Sequence, residues 1–461
     1  MFVATAPAAI RRSVRGASRA LLSPQRRQGL LTLAIETSCD DTSVAIVEKC
    51  AHATGHAAKI HFLENVTADS RAHRGIHPIL ALESHQESMA KLVEKAMRHL
   101  PASLGNEGEQ TIPVGDKLRR RPDFISATRG PGMRSNLSVG LDTGKALSVA
   151  WQIPMVGVHH MQAHLLTPRL ISCLAETASA SSEKTGTVSP QFPFLSILVS
   201  GGHSILVHSK SLTDHTILAS SDDVAMGETL DKAARDILPP SLLEEAKNTM
   251  YGKILEQFVF PNGTADFADY RPPKNRGEEV AKHRSPWGWS VTTPFANTRT
   301  LQLSFSSISS MVGKIVRNKT DETLSQDERV ALGREAMRVC FEHLASRTII
   351  ALEALRPRVQ GEDENVKTLV VSGGVAANKF LMHVLRSFLN VRGFGHVDIV
   401  APPPYLCTDN AAMIGWAGIE MFEAGWRSDL SCRALRKWTL DPQADDGGIL
   451  GPSGWIRAGT V

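Results

Sequence analysis

The sequence predicts an α/β fold with a repeated unit, on three observations. A strand–turn–strand segment with a polar tip occurs at Leu31–Val47 and recurs at Phe194–Val207. A strand followed by Ser372-Gly373-Gly374 and an amphipathic helix occupies Thr368 to about Leu389. A chain of 461 residues, 42% of them hydrophobic, is too long for one compact unit and suits two or three domains.

Composition excludes several classes. Charged residues make up 21% of the chain, which argues against wholesale disorder. No run of eighteen apolar residues occurs, so no conventional transmembrane helix is predicted. The formal charge of +4 is unevenly placed: residues 1–30 hold six arginines and no Lys, Asp or Glu, and without them the chain stands at about −2. Net charge is therefore no argument for nucleic-acid binding. The six cysteines (Cys39, Cys50, Cys173, Cys340, Cys407, Cys432) are scattered without C-x-x-C spacing, the pattern of free thiols in a reducing compartment.

The elements follow in order. Residues 1–30, rich in Arg, Ser and small apolar residues, have the composition of a mitochondrial transit peptide; the arginines interrupt the apolar core that a secretory signal requires. Leu31–Glu36 is an apolar strand, Thr37 to Asp41 a polar turn, and Thr42–Val47 a returning strand, so the tip exposes backbone N–H groups. Residues 101–122 form a polar excursion. Gly140-Leu141-Asp142-Thr143-Gly144-Lys145 is one residue too short between its glycines for a P-loop, and Ala146 stands where that loop needs Ser or Thr. It is predicted as a helix with small residues on its packing face, led by a turn at Arg129–Gly132.

Three histidine pairs have i, i+4 spacing: His52/His56, His73/His77 and His160/His164. The first encloses Gly55, and the second encloses Gly75 with Pro78 just beyond, so neither is convincingly helical. His160 to His164 lies in a helical pattern that puts both imidazoles on one face, either as a polar surface or as two ligands of a divalent ion. His159 points about 100° away.

Residues 174–190 are rich in Ser, Ala and Thr and read as a surface loop. Phe194–Val199, Ser200–His203 and Ser204–Val207 repeat the hairpin. Asp222, Asp223, Glu228 and Asp231 crowd one polar run, either a solvated helix start or part of a site. Residues 261–299 carry Pro, Gly, Asn and mixed charges and look like an insertion. The helix from Val375 aims its N-terminus at the Gly-Gly loop. Thr408 or Asp409 is the natural N-cap of the apolar helix Ala411–Ala424; a carboxylate there could instead complete a His, His, Asp ligand set. The Gly- and Pro-rich last twenty residues read as loose.

Seven runs together resemble one family: Ile35 to Thr42; Arg129-Gly130-Pro131-Gly132; His159 to His164; Val199-Ser200-Gly201-Gly202-His203; Gly227 to Lys232; Ser372 to Asn378; and Cys407 to Met413. It is the threonylcarbamoyl transferase family that modifies the adenosine 3′ to the tRNA anticodon, formerly described as O-sialoglycoprotein endopeptidases. The resemblance implies an actin-like, Hsp70-like ATPase fold: two α/β lobes, each with a mixed sheet, closing over a ligand. Residues 31–155 would form the first lobe, completed by the segment at about 409–440. Residues 156–408 would form the second, and 441–461 a loose tail.

The resemblance also implies one divalent ion, iron or zinc, on His160, His164 and Asp409. Ligand contacts carry over to Leu198, Val199, Ser200, Gly201, Gly202, Asp231, Ala377, Asn378 and Thr408, and to Gly252 and Glu256 by spacing within the mitochondrial branch. The implied reaction moves a threonylcarbamoyl group from threonylcarbamoyl-AMP, supplied by a separate synthase, to N6 of adenosine 37 in mitochondrial tRNAs reading ANN codons. The presequence points to that branch, and with it to a matrix enzyme acting as a homodimer without membrane attachment. For the general base, Asp40, Asp41 and Asp231 are all candidates, and Asp41 and Asp231 are the expected catalytic residues. The chain departs from the family at Ser307, where Gly is usual, and at Ser309, where Lys is usual; it also lacks a Tyr-Pro-Gly-Gly loop before Gly252.

Rival functions are an ATPase or kinase of the same fold, a scaffold, and a metalloprotease. The last needs Glu after the first histidine, where this chain has Met161. Three basic patches are candidates for tRNA contact, each equally a solvated surface: Lys117–Arg121, Lys274–Trp289 and Arg433–Trp438.

Overall fold

The computed structural model of the chain describes residues 29–459 except 53–54, 71–72, 74, 106–107, 179–186, 247–249, 320–323 and 357–365. The transit segment expected at 1–30 therefore lies almost wholly outside the described residues, as does much of the expected 174–190 loop.

β1 (Leu30–Glu36) alternates across its sheet, with Leu31, Leu33 and Ile35 in one core and Ala34 in another. It pairs antiparallel with β2 (Asp41–His52), which pairs with β3 (Gly55–Thr67). β2 runs past Val47, where the sequence predicts its end, and β3 is not predicted from sequence. A register shift at Ile46/Val47 breaks the period of two, and β3 carries Lys59, His61, Glu64 and Asn65 along an edge. α1 (Pro78–Arg98) follows, capped by His77.

Where a polar excursion was expected, β4 (Thr111–Val114) and β5 (Lys117–Arg120) form a small hairpin. Its arginines turn inward: Arg120 binds Glu48 at 2.7 Å and Asp123 at 2.9 Å, and Arg119 and Arg121 donate to the carbonyls of Leu100 and Trp151. β6 (Phe124–Gly130) lies parallel to β1, and α2 (Arg134–Trp151) returns to β7 (Met155–His159), parallel to β6. The small residues of α2 do pack. A Cβ on Gly140 would meet Thr37 Oγ1 at 2.5 Å, and one on Gly144 would meet Ala127 Cβ at 3.1 Å.

α3 (His160–Ala178) leads from the first sheet to the second and extends into the stretch expected to be a loop. β8 (Phe194–Val199), β9 (Ser204–Ser209) and β10 (His215–Ser220) form an antiparallel meander. β11 (Thr368–Ser372) and β12 (Asp398–Val400) add parallel strands on the other side of β8. The two sheets, ordered β3-β2-β1-β6-β7 and β10-β9-β8-β11-β12, have the same sequence of antiparallel and parallel pairings. The duplication read from two hairpins thus extends to whole sheets.

Helices α4 (Met226–Ile237), α5 (Pro240–Glu244), α6 (Tyr251–Val259), α7 (Arg276–Glu279), α8 (Ser306–Arg317) and α9 (Gln326–Ala354) fill the stretch before β11. α10 (Lys379–Val391) follows it, and with α4, α6, α8 and α9 it buries the outer face of the second sheet around Leu195, Ile197, Leu369 and Val371. The 261–299 segment is packed: Phe267 and Val291 join this core, and Arg276 and the buried Arg347 hold the carbonyls of Phe295 and Thr298. α10 begins at Lys379, four residues later than expected, because Gly374–Ala377 forms a 3-10 turn and Asn378 is the cap.

After α11 (Pro404–Cys407), α12 (Ala411–Glu423) returns to the first sheet and packs on β1, β2, β6 and β7. Its close approach needs Gly415 and Gly418, whose added Cβ atoms would meet Val47 Cγ2 at 2.8 Å and Ser126 Oγ at 2.1 Å. The N-cap is Asn410, which accepts from Met413 N at 3.0 Å, rather than Thr408 or Asp409. α3 and α12 share one core with both sheets.

The C-terminal segment is not a loose tail. β13 (Trp426–Ser428) pairs with β14 (Trp455–Arg457), the Trp438 and Trp455 indoles donate to the carbonyls of Gly448 and Ile449, and Arg129 reaches Ser453 O at 2.6 Å. Glycine and proline content hid a segment fastened by tryptophan. Among the described residues no helix is long and apolar enough to cross a membrane.

Candidate functional site

The first turn of α3 places His160 and His164 on one face, as the spacing predicted, while Met161 points into the core at 5% exposure. Because Asn410 caps α12, the Asp409 carboxylate is free of that duty. It sits 3.0 Å from His164 Nε2 and 3.5 Å from His160 Nε2. One ligand atom from each of these three residues lies within 4.8 Å of the others. His159 does not join them; its Nε2 faces Trp438 O at 3.1 Å.

Glu36, not singled out from sequence as a site residue, stands behind His160. It is fully buried, accepts from Ser38 N and from Thr128 Oγ1, and lies 3.2 Å from His160 Nδ1. Ser38 Oγ is also 3.2 Å from that nitrogen. Carboxylate, imidazole and ligand position in line are the arrangement that orients a metal-ligating histidine. Burial works against a charged His160, yet Asp409 and Glu36 outweigh it and push the imidazole up to about 9. Burial likewise works against charge on Asp409, and the histidines outweigh it, holding the carboxyl well below its usual range. With both imidazoles neutral, Glu36 and Asp409 carry two negative charges, which a divalent cation would balance. The donor set therefore fits such an ion.

The loop from Thr37 to Asp41 is clamped against this centre. The Cys39 carbonyl accepts from Asn136 Nδ2 at 2.7 Å and faces His85 Nε2 at 3.0 Å, and Met133 N donates to Ser38 O at 2.9 Å. Asp41 accepts from Thr67 Oγ1, and burial with repulsion from Asp409, Asp40 and Glu36 raises its carboxyl to about 7.

Opposite, the second hairpin, α4 and the β11 loop converge. Gly227 N donates to Ser200 O at 3.1 Å, and a Cβ there would meet that oxygen at 2.5 Å. Gly373 has φ +92°, and a Cβ on it would meet Val199 O at 2.3 Å. Of the residues carried over from the resemblance, Leu198 and Val199 are core side chains, so only their backbone is available to a ligand. Gly201, Gly202 and Gly374 face open space, where a ligand could approach the backbone closely. Gly252 N donates to Asp231 at 2.7 Å, bringing two predicted positions into contact; burial raises the Asp231 carboxyl to about 6. Glu256 accepts from Lys379 N at 2.8 Å and so joins α6 to the start of α10. Asn378 Oδ1 accepts from Leu381 N, so this residue is a helix cap as well as a candidate ligand contact. Ala377 and Thr408 are both exposed. Asp223 organises the Leu303–Ser307 stretch, accepting from the hydroxyls of Ser304 and Ser306 at 2.7 and 2.6 Å.

Fold and site define an actin-like protein with two matching sheets and a His, His, Asp centre formed by the start of α3 and the segment before α12. The chain matches the family model for tRNA N6-adenosine threonylcarbamoyltransferase over residues 61–416, and it belongs to that family. It is 35% identical to the mitochondrial tRNA N6-adenosine threonylcarbamoyltransferase of Schizosaccharomyces pombe, over 93% of this chain and 89% of that protein. The mitochondrial enzyme of Rattus norvegicus is 31% identical over 86% of this chain and 81% of its own length. The enzyme of Zymomonas mobilis is 30% identical over 90% of this chain and 93% of its own length.

Proposed function

We propose that this chain transfers a threonylcarbamoyl group from threonylcarbamoyl-AMP to N6 of adenosine 37 in mitochondrial tRNAs that read ANN codons, in the matrix and as a homodimer. The convergence of His160, His164 and Asp409, backed by Glu36, is the observation that carries the reading beyond family membership. The hairpin tip at Ser200–Gly202 and the Gly373–Asn378 loop offer backbone N–H groups for the donor's phosphate. The N6 amine attacks the carbamoyl carbon, a C–N bond forms, the C–O bond to phosphate breaks, and AMP leaves with the electron pair. A divalent ion, iron or zinc, bound at the triad would polarise the carbonyl and screen phosphate charge. Asp41 and Asp231 are the carboxylates available for the amine's proton, both raised by burial toward neutrality.

Purified protein, threonylcarbamoyl-AMP and an unmodified mitochondrial tRNA should together form N6-threonylcarbamoyladenosine, detected by mass spectrometry of the digested tRNA. Asn378→Asp keeps an N-cap oxygen, so it should cut transfer while leaving fold and metal content near normal. No modified nucleoside from folded, metal-loaded protein would reject the assignment and favour an ATPase. For location, deleting residues 1–30 should abolish mitochondrial accumulation and spare transfer in vitro; unchanged accumulation would refute the transit reading.

A further inference from the structure

Three basic stretches stood as equal candidates for contact with nucleic acid, and their surroundings now separate them. In the first, Arg119, Arg120 and Arg121 are tied to backbone carbonyls and carboxylates of their own lobe. In the third, Trp438 is buried at 4% exposure and its indole N–H is used internally. Only the second, Lys274–Trp289, presents an exposed aromatic ring together with cations. Trp287 is 39% exposed and lies parallel to Trp289, with centroids 6.2 Å apart and planes 4° from each other. Lys274, Lys282 and Arg284 are exposed and make no ion pair among the described residues, and His283 is exposed between the last two.

The ring pair is held rigidly. Ser285 N donates to Trp289 O at 2.8 Å, Gly288 turns the chain at φ +86°, and Trp289 Nε1 donates to Glu328 at 2.9 Å. Lys319 binds the same Glu328 carboxylate. Thr292 Oγ1 rests on Met311 of α8, about 8 Å along that helix from Ser306, whose amide and hydroxyl Asp223 holds. The loop thus stands on the helix that starts beside the second hairpin and α4.

We infer that residues 282–289 are a contact surface for the tRNA, with Trp287 stacking on an unpaired base and Lys282 and Arg284 meeting backbone phosphates. An exposed ring braced by a second indole and flanked by unpaired cations suits single-stranded RNA, which offers base faces and regularly spaced negative charge. The choice of partner rests on the function proposed above.

The test is fluorescence anisotropy of a labelled, unmodified mitochondrial tRNA transcript against full-length protein at several salt concentrations. Trp287→Ala should weaken binding about tenfold, and Trp287→Phe should restore most of it. The Lys282→Ala, Arg284→Ala double variant should lower the slope of log affinity against log salt by between about one and two. Metal content and thermal midpoint should stay at wild-type values, since these side chains are exposed. Wild-type affinity and slope in both variants would overturn the inference. So would Phe proving as poor as Ala, or loss confined to anionic phospholipid vesicles with tRNA affinity unchanged. Patch-dependent tRNA binding by a protein that forms no modified nucleoside would strike the proposed function and leave this surface standing.

Discussion

Alanine at His160, His164 or Asp409 should empty the metal centre and take threonylcarbamoyl transfer to background. The three side chains converge within 4.8 Å, and each offers one ligand atom, so loss of one would leave too few protein ligands for tight retention. The effect should exceed the roughly 10- to 100-fold that removing an outer partner costs. Elemental analysis of purified variants is the readout, and full occupancy in either histidine variant would show that this helix face does not hold the ion. A pH dependence accompanies it. In the metal-free protein the His160 imidazole is raised to about 9, so its charge and its pairing with Asp409 and Glu36 persist below that value and are lost as pH rises through it. The ion needs the neutral ring and must displace that proton. Apparent metal affinity should therefore climb about tenfold per pH unit above neutrality and level off near pH 9. A flat profile would mean that the ion does not replace this proton.

Glu36→Gln should have the next largest effect, at a residue that would not itself ligate. Its two carboxylate oxygens face three potential donors: Ser38 N, Thr128 Oγ1 and His160 Nδ1. Glutamine has nearly the same shape but only one acceptor oxygen, so its NH2 must face a donor in a site with no access to water. The compensating negative charge behind His160 is lost as well. Metal affinity should fall about 10- to 100-fold, and transfer with it at limiting metal. Excess metal should recover part of the transfer, whereas the ligand variants should not recover. Wild-type affinity in Glu36→Gln would show that Ser38 alone orients His160.

The site was legible in sequence to the extent that its chemistry lay in short runs. His160 and His164 share a turn, and the glycines at 201, 202, 373 and 374 mark their loops directly. Glu36 was illegible for the converse reason: it ends an apolar strand, and only the fold brings it against a histidine 124 residues later. Asn378 and Asn410 could be read as polar loop residues, but which backbone N–H each would cap depends on where α10 and α12 begin. The hairpins at Leu31–Val47 and Phe194–Val207 showed the duplication, yet β3 and β10 stayed hidden. β3 is an edge strand with polar residues facing out, and β10 is an edge strand whose pairing with β9 shifts between Ile217 and Ala219.

The return of α12 to the first sheet constrains the order of assembly. The second sheet finds its outer helices between residues 226 and 391 and its inner cover in α3, all encoded before α12. The first sheet is made earlier but stays uncovered over Ala34, Val47 and Phe124 until residues 411–423 exist, and Arg129 lacks its Ser453 partner for longer still. A chain emerging N-terminus first thus exposes an apolar sheet face through most of its synthesis. The half that begins the protein is the last to finish folding, and through that interval it is the part open to aggregation and to chaperones.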